Sequence, residues 1–287
     1  MRYYASSKRM NRFRKPRKFN RFDRHRERPG SPADEGGERQ GWQQVAGWYS
    51  NYLEGSDTHQ ETVVFPGAIR LLALKPGSNF LDVACGEGSF AAKLAAGRVR
   101  VAGLDAAPAL IERAKRRLPQ GEFLVGDAQH FPAAFRGRGF DGAACILAIQ
   151  NIPDAAAVFS ETAAALRPRA PFVIVLNHPC FRIPRQSSWG FDENNKTQFR
   201  RIDRYLTPLD VPILMNPGRG RGRPLTTTTY HRPISAYVAA LANAGFAVDA
   251  LEEWVSQRTS DSGPRAKAEN RAREEFPLFL AIRARKI

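Results

Sequence analysis

Cysteine is scarce in this chain: three residues among 287, Cys85, Cys145 and Cys180, with no C-x-x-C pair and no Cys/His cluster. That spacing excludes a disulfide framework and a structural zinc site, and it points to a reducing compartment, the cytoplasm by default. No metal is expected. Long apolar runs are missing too. None reaches the ~20 residues of a membrane span, and no apolar core of a secretory signal stands near the N-terminus. Acidic residues are in deficit, 28 against 44 Lys and Arg, for a net charge of +16. The deficit is uneven: residues 1–40 hold 13 cations and 5 acids. What the chain has in quantity is apolar, 43% of residues, enough for the core of one large domain.

Residues 1–41 read as a basic, disordered arm. Arg12-Phe13-Arg14-Lys15-Pro16-Arg17-Lys18-Phe19-Asn20-Arg21-Phe22 interleaves cations with aromatics and has no helical period. Gly30-Ser31-Pro32 and Gly36-Gly37 complete a linker. Such a segment suits RNA or a ribosome, because Lys and Arg displace counterions and aromatics stack on bases. It also suits a solvated tail. A third reading is a transit peptide, since acids are absent before Asp23, and the compartment is then an organellar matrix. Residues 42–287 read as one domain, opened by an amphipathic helix over 41–53 that aligns Trp42, Val45, Trp48, Tyr49 and Tyr52.

The domain is organised around Phe80-Leu81-Asp82-Val83-Ala84-Cys85-Gly86-Glu87-Gly88-Ser89-Phe90. Phe80, Leu81 and Val83 make a strand, and Asp82 puts a carboxylate at its end. Gly86 and Gly88 let the backbone turn sharply and approach a ligand. Ser89 is placed to cap a helix over 90–96. A second strand, 99–104, leads to Asp105, seventeen residues after Gly88. That is close to the ~20 expected of an acid that binds a ribose hydroxyl pair. A dinucleotide-binding turn is the rival reading, with Ala91 at its third glycine. Asp82 argues against it, since a carboxylate there repels a pyrophosphate and suits an ammonium.

Leu81-Asp82-Val83-Ala84-Cys85-Gly86-Glu87-Gly88, followed by Gly103-Leu104-Asp105-Ala106, resembles the class I S-adenosylmethionine (SAM)-dependent methyltransferases. The ending R-P-x-S-x-Y-x-x-x-L-x-x-A-G-F, from Arg232 to Phe246, is similar to the ubiquinone- and menaquinone-biosynthesis branch. The resemblance covers about residues 42–287 and is weakest over 181–232. It implies a doubly wound, Rossmann-like α/β fold with seven strands, the last antiparallel, and helices on both faces. It implies SAM as cofactor and S-adenosylhomocysteine (SAH) as product. The implied cofactor contacts are Asp82, Ala84, Cys85, Gly86 and Gly88 around the first turn, then Asp105 and Ala106. Asp127 and Ala128 would lie by the adenine, and Leu147 on the fourth strand completes the set. The resemblance also gives Tyr49 a place closing over the site.

Elsewhere, periodicity and breakers predict helices over 63–74, 108–117, 154–166 and 233–244, the last capped by Gly245. Strands are predicted over 122–128, 140–150, 171–176, 246–252 and 277–285, with a mobile polar loop over 256–272. The fourth strand is followed by Asn151-Ile152-Pro153-Asp154, which departs from the N/D-P-P-Y/F tetrapeptide of adenine and glutamine methyltransferases. Cys180 lacks the second Pro-Cys of the RNA cytosine-5 enzymes, which argues against covalent catalysis. Residues 181–232 are too long for a connection and read as an insertion over the substrate edge of the sheet. Tyr49, Gln150, Asn151, Arg182 and Arg185 are the expected substrate contacts. His231 and His178 are the candidate bases, needed only if the acceptor is a hydroxyl or a protonated amine. Either histidine reads equally as a backbone cap or a surface residue.

The expected function is methyl transfer by in-line displacement to a small-molecule or metabolite acceptor. Two alternatives stay open: an RNA-modifying or ribosome-associated methyltransferase that uses the arm, and a non-catalytic SAM-fold assembly partner.

Overall fold

The computed structural model of the protein describes residues 58–214 and 226–287. The basic arm, the expected helix over 41–53 with Tyr49, and the glycine-arginine tip at 218–223 lie outside the described residues.

The described chain begins with a π-helical turn, Gln60–Val64, that runs into α1 (Phe65–Leu72) and stops where Ala73 turns left-handed. Alternation of strand and helix then builds the first half of a sheet. It comprises β1 (Asn79–Val83), α2 (Ser89–Ala96), β2 (Arg100–Asp105), α3 (Pro108–Arg117) and β3 (Glu122–Val125). The second half has β4 (Gly142–Ile146), α4 (Ala155–Ala165) and β5 (Pro171–Asn177). Four strands follow outside the main sheet: β6 (Ser187–Asp192), β7 (Thr197–Ile202), β8 (Leu209–Leu214) and β9 (Thr226–His231). The chain finishes with α5 (Ile234–Asn243), β10 (Phe246–Trp254), α6 (Ala266–Glu275) and β11 (Phe279–Lys286).

Seven strands form one sheet in the order β10-β11-β5-β4-β1-β2-β3. All neighbours are parallel except β11, which runs antiparallel to both β5 and β10. β5 shows why the sheet is buried. Phe172, Ile174 and Leu176 pack with α4 and α5, while Val173 and Val175 pack on the other face with α1, α2 and α3. An uninterrupted apolar run is what a strand covered on both faces requires. From β1 the chain winds outward through β2 and β3, then returns to β4 on the other side of β1. The crevice beyond the carboxyl ends of β1 and β4 is therefore the switch point, where open α/β sheets bind ligands.

Several sequence expectations need correction. Strand four ends at Ile146 instead of reaching Gln150, because Leu147 adopts φ 54° and Ile149–Asn151 form a 3-10 turn. Ser89 does not cap α2. Gly88 is the N-cap residue, and the Ser89 hydroxyl donates to Glu87 at 3.2 Å. The polar stretch expected as a loop carries α6. Its sequence is rich in Ala, Lys, Glu and Arg, all good helix formers, but it buries only Ala272, so no apolar stripe announces it.

The segment between β5 and α5 folds as two antiparallel hairpins, β6–β7 and β8–β9. It leaves the sheet at the carboxyl end of β5 and is tied to the turn after β4. Thr229 Oγ1 donates to Asn151 Oδ1 at 3.2 Å, and Arg232 Nη2 donates to the Ile152 carbonyl at 3.0 Å and to that of Pro153. α6 holds the first hairpin from outside. Phe276 meets Phe181 and Trp189 edge-on, at 5.5 and 5.3 Å, and Arg265 lies 4.4 Å over the Phe191 ring.

Candidate active site

The turn after β1 is shaped by three left-handed residues in five: Ala84, Gly86 and Gly88, at φ 56°, 56° and 74°. The two glycines serve different ends. A Cβ on Gly88 would sit 3.1 Å from Ala114 Cβ, so its absence lets α3 pack against the turn. A Cβ on Gly86 would meet nothing within 4 Å, which leaves open space in front of the backbone. The turn is fixed from behind. Cys85 N donates to Leu104 O at 2.9 Å, and buried Glu87 pairs with Arg117 at 2.7 Å. Ala84 and Leu147 are both left-handed without being glycine, and they stand at the carboxyl ends of β1 and β4. Such strain persists where the surroundings over-determine it, as at binding sites.

Two carboxylates face this turn. Asp105 Oδ2 accepts from Gly86 N and its Oδ1 from Ala107 N, both at 2.9 Å. Desolvation pushes its pKa up, and those two N–H bonds hold it back. Asp82 is 2% exposed, and its Oδ2 is buried with no hydrogen-bond partner among the described residues. Burial, and then the charge of Asp105, push its pKa up to about 8. Neither acid is paired with a cation among the described residues. A cationic ligand with an N–H donor would resolve both the missing bond and the like-charge repulsion. The ammonium of a SAM methionine end is such a donor, and Asp105 keeps lone pairs for a ribose hydroxyl pair.

The remaining expected cofactor residues line the same sheet edge. Ala106 is exposed beside Asp105, and Cys85 lies half-buried in the turn. Asp127 Oδ1 accepts from Gln129 N at 2.9 Å, which shapes the turn after β3, and Ala128 is buried beneath it. Gln129 in turn accepts from Asp154 N at 3.0 Å, joining that turn to the start of α4. Leu147 is bonded to β5 through Val175 O at 2.7 Å.

Next to this crevice is a cleft of about 350 Å³. Gln150, Arg182, Arg185, Arg200, His231 and Arg232 are among its lining residues, so β5, the insertion and the turn after β4 all contribute. Gln150 touches both sites, because its Nε2 donates to the Leu147 carbonyl at 2.7 Å. Asn151 is spent on Thr229 and does not line the cleft. His231 is buried, and its Nε2 is 2.8 Å from the Tyr205 carbonyl. A carbonyl only accepts, so Nε2 carries the hydrogen and Nδ1 keeps its lone pair. Burial lowers the ring's pKa; the Tyr205 carbonyl opposes this and Arg232 adds to it.

The structure separates the two histidines. His178 Nδ1 accepts from Cys180 N at 3.2 Å and Phe181 N at 3.4 Å, and its Nε2 lies 2.7 Å from Glu253 Oε1. Both nitrogens are engaged, so His178 shapes the turn leaving β5 and has no free lone pair for a general base. Burial lowers its pKa, against the pull of Glu253. Tyr205, Arg232 and Glu253 were missed as contributors. Tyr205 and Glu253 act on the histidines from distant strands and loops, and sequence carries no signal of that. Arg232 was legible as the first residue of the Arg232-Pro233 ending.

Residues 80–169 match the family model described as a methyltransferase domain. A demethylmenaquinone methyltransferase from Beutenbergia cavernae is 30% identical over 146 residues, covering 51% of this chain and 56% of the relative. A 2-phytyl-1,4-naphtoquinone methyltransferase from Nostoc sp. is 30% identical over 155 residues, covering 51% and 61%. The chain thus spans a little over half the length of these relatives. A SAM-dependent methyltransferase from Mesorhizobium loti shares the fold, with a TM-score of 0.63 over 80% of this chain and 99% of that one at 24% identity. Fold and turn agree with the resemblance to the class I methyltransferases. Over residues 80–169 the chain is similar to a methyltransferase domain, and its sheet has the fold of a SAM-dependent methyltransferase.

Proposed function

We propose that the chain methylates a small-molecule acceptor held in the cleft beside Gln150. The observation that carries this reading is the Gln150–Leu147 bond, which joins the cleft to the carboxyl end of β4, where the cofactor crevice lies. Bound SAM supplies an electrophilic methyl group on a sulfonium centre, open to in-line displacement. Asp82 holds the ammonium of the methionine end, Asp105 the ribose hydroxyls and Asp127 the adenine amine. Gly86 gives the ligand room at the backbone. Arg182 and Arg185, with Gln150, orient the acceptor, and much of the acceleration is then positioning. His231 Nδ1 takes the proton of a hydroxyl or ammonium nucleophile, its tautomer set by the Tyr205 carbonyl.

The two relatives are named for quinone-type acceptors. The family match ends at residue 169, before the hairpins that wall the cleft, so Gln150 lies inside the match while Arg182, Arg185 and His231 lie outside it. Among the described residues no helix is long and apolar enough to cross a membrane. The three free cysteines suit a reducing compartment such as the cytoplasm.

The test is transfer of tritiated methyl from SAM to fractionated metabolite, RNA and protein pools. Label is expected in the metabolite fraction. Label confined to RNA or protein would refute the small-molecule reading, and SAH binding without any transfer would favour a non-catalytic partner. His231→Ala is expected to lower turnover by roughly 10²–10⁴ while sparing SAH affinity. Full turnover in that variant removes His231 from the role of base.

A further inference from the structure

The cleft that the proposed function fills with an acceptor is lined by several arginines. Arg182, Arg185, Arg200 and Arg232 line it, and among the described residues no Asp or Glu does. Several arginines elsewhere pair with carboxylates: Arg117 with Glu87, Arg136 with Glu161, Arg167 with Asp141, and Arg283 and Arg285 with Asp249. Three of the cleft arginines are held by neutral acceptors. Arg185 Nη2 donates to Pro212 O at 2.8 Å. Arg200 Nε donates to Phe181 O at 2.8 Å, and its Nη2 to Ser187 Oγ at 2.7 Å. Arg232 Nη2 donates to the Ile152 and Pro153 carbonyls. These bonds aim the guanidinium groups without neutralising them.

Donors are left over. A guanidinium has five N–H groups, and Arg200 spends two of them on the contacts above. Arg232 Nη1 is buried with no partner among the described residues. Burial lowers the pKa of Arg200, and no acid counters that cost. The opposite need appears at Gln150, which is 7% exposed. Its Nε2 is fixed on the Leu147 carbonyl, which settles the amide's orientation, and its Oε1 is buried without a partner. An unsatisfied acceptor sits in the same cleft as unsatisfied, charged donors.

We infer that the acceptor is a small molecule carrying a carboxylate or phosphate, bound by Arg185, Arg200 and Arg232, and a hydroxyl or amine donated to Gln150 Oε1. The inference rests on the proposed function for the word acceptor, but the recognition chemistry is that of the cleft alone. Guanidinium groups with unspent N–H donors bind both anions by charge-assisted hydrogen bonds. A buried acceptor atom with no partner rejects a ligand that lacks an O–H or N–H at that point.

The experiment uses the full chain saturated with SAH and measures binding by calorimetry or ligand-observed NMR. Matched probes isolate the anion: 4-hydroxybenzoate against 4-hydroxybenzamide, and glycerol 3-phosphate against glycerol. In at least one pair the anion is expected to bind about tenfold or more tightly than its neutral partner, the scale of a charge-assisted hydrogen bond. The pair that responds tells carboxylate from phosphate. Arg200→Met and Arg232→Met should each erase the preference. Arg200→Met keeps the test valid if loss of the Arg232 bonds unfolds the chain. Gln150→Leu should weaken 4-hydroxybenzoate while leaving benzoate unchanged. Equal binding within both pairs, or a preference that survives both arginine variants, overturns the inference. SAH affinity keeps the two failures apart: no SAH binding to the native chain refutes the methyltransferase reading, whereas SAH binding without anion preference refutes only this one.

Discussion

Asp82 is a buried carboxyl group whose charge the proposed cofactor contact would change. Its pKa of about 8 in the folded chain stands far above the ~3.9 of an unfolded aspartate. Between those values the folded, ligand-free chain holds a proton that the unfolded chain has released. The stabilisation from this group is therefore complete below about pH 4 and lost as the pH climbs to about 8. Asp82→Asn is expected to flatten that fall, and thermal unfolding across pH 5–9 without ligand measures it. A cationic ligand end needs the ionised form, so SAH affinity should rise from pH 6 to 8 in the native chain and stay level in Asp82→Asn. Calorimetry in buffers of different ionisation enthalpy would reveal the released proton, and a pH-independent native affinity would refute the assignment. Asp105→Ala is expected to weaken SAH binding by about 1.5–3 kcal/mol. It also strands Gly86 N–H, so the turn itself should lose stability in the same unfolding scan. At His231 the lowered pKa means that the neutral base persists into mild acid. The acid limb of turnover should fall below the ordinary histidine value of ~6.5. Asp82 and Asp105 were legible in the sequence because spacing after a strand positions them. Their lack of a counter-charge was not, since it depends on what every other element leaves out.

Gly86 and Gly88 look alike in sequence and diverge as parts of elements. Gly88 begins α2 and touches α3, so Gly88→Ala adds a left-handed strain and a 3.1 Å contact. A stability loss of about 1–3 kcal/mol in urea unfolding is expected. Gly86→Val should cost less of the fold in proportion to its effect on the ligand, abolishing SAH binding while a folded chain remains. If SAH binds Gly86→Val normally, the open space before Gly86 is not where the ligand lies. The strands and helices of the sheet were legible to within a few residues because their apolar runs and breakers are local. Strand four was read too long because Ala148-Ile149 continues its apolar character, and the left-handed turn at Leu147 has no glycine to announce it. α6 was missed for the opposite reason: its support is the β6–β7 hairpin, reached through Phe276 and Arg265, and a helix held by one partner shows no amphipathic stripe of its own.

The described residues join a sheet whose central strands are buried on both faces to two hairpins that are not. In β5 every residue from Pro171 to Leu176 is buried, whereas β6 has none that is fully buried. Two-stranded pairs are marginal alone, so amide exchange should reach residues 187–214 long before 171–176. Equal protection would mean that the hairpins belong to the main cooperative unit. The doubly wound, seven-stranded architecture with its last strand antiparallel was readable from the alternation of strands and helices together with the resemblance. The shape of the insertion was not, because its polar strands carry no period strong enough to register.

The place of β11 has a consequence for how the chain is made. β11 lies inside the sheet, with Phe279 against Asn177 and Arg285 against Pro171 on one side and β10 on the other. A chain that leaves the ribosome N-terminus first therefore exposes the open flank of β5 while everything up to Phe279 is synthesised. The hairpins and their arginines emerge before that flank is covered. Pairings so distant in sequence close slowly, and an unpaired apolar strand is the species most prone to associate with its own kind. β11 is thus the strand that withdraws the nascent sheet from aggregation.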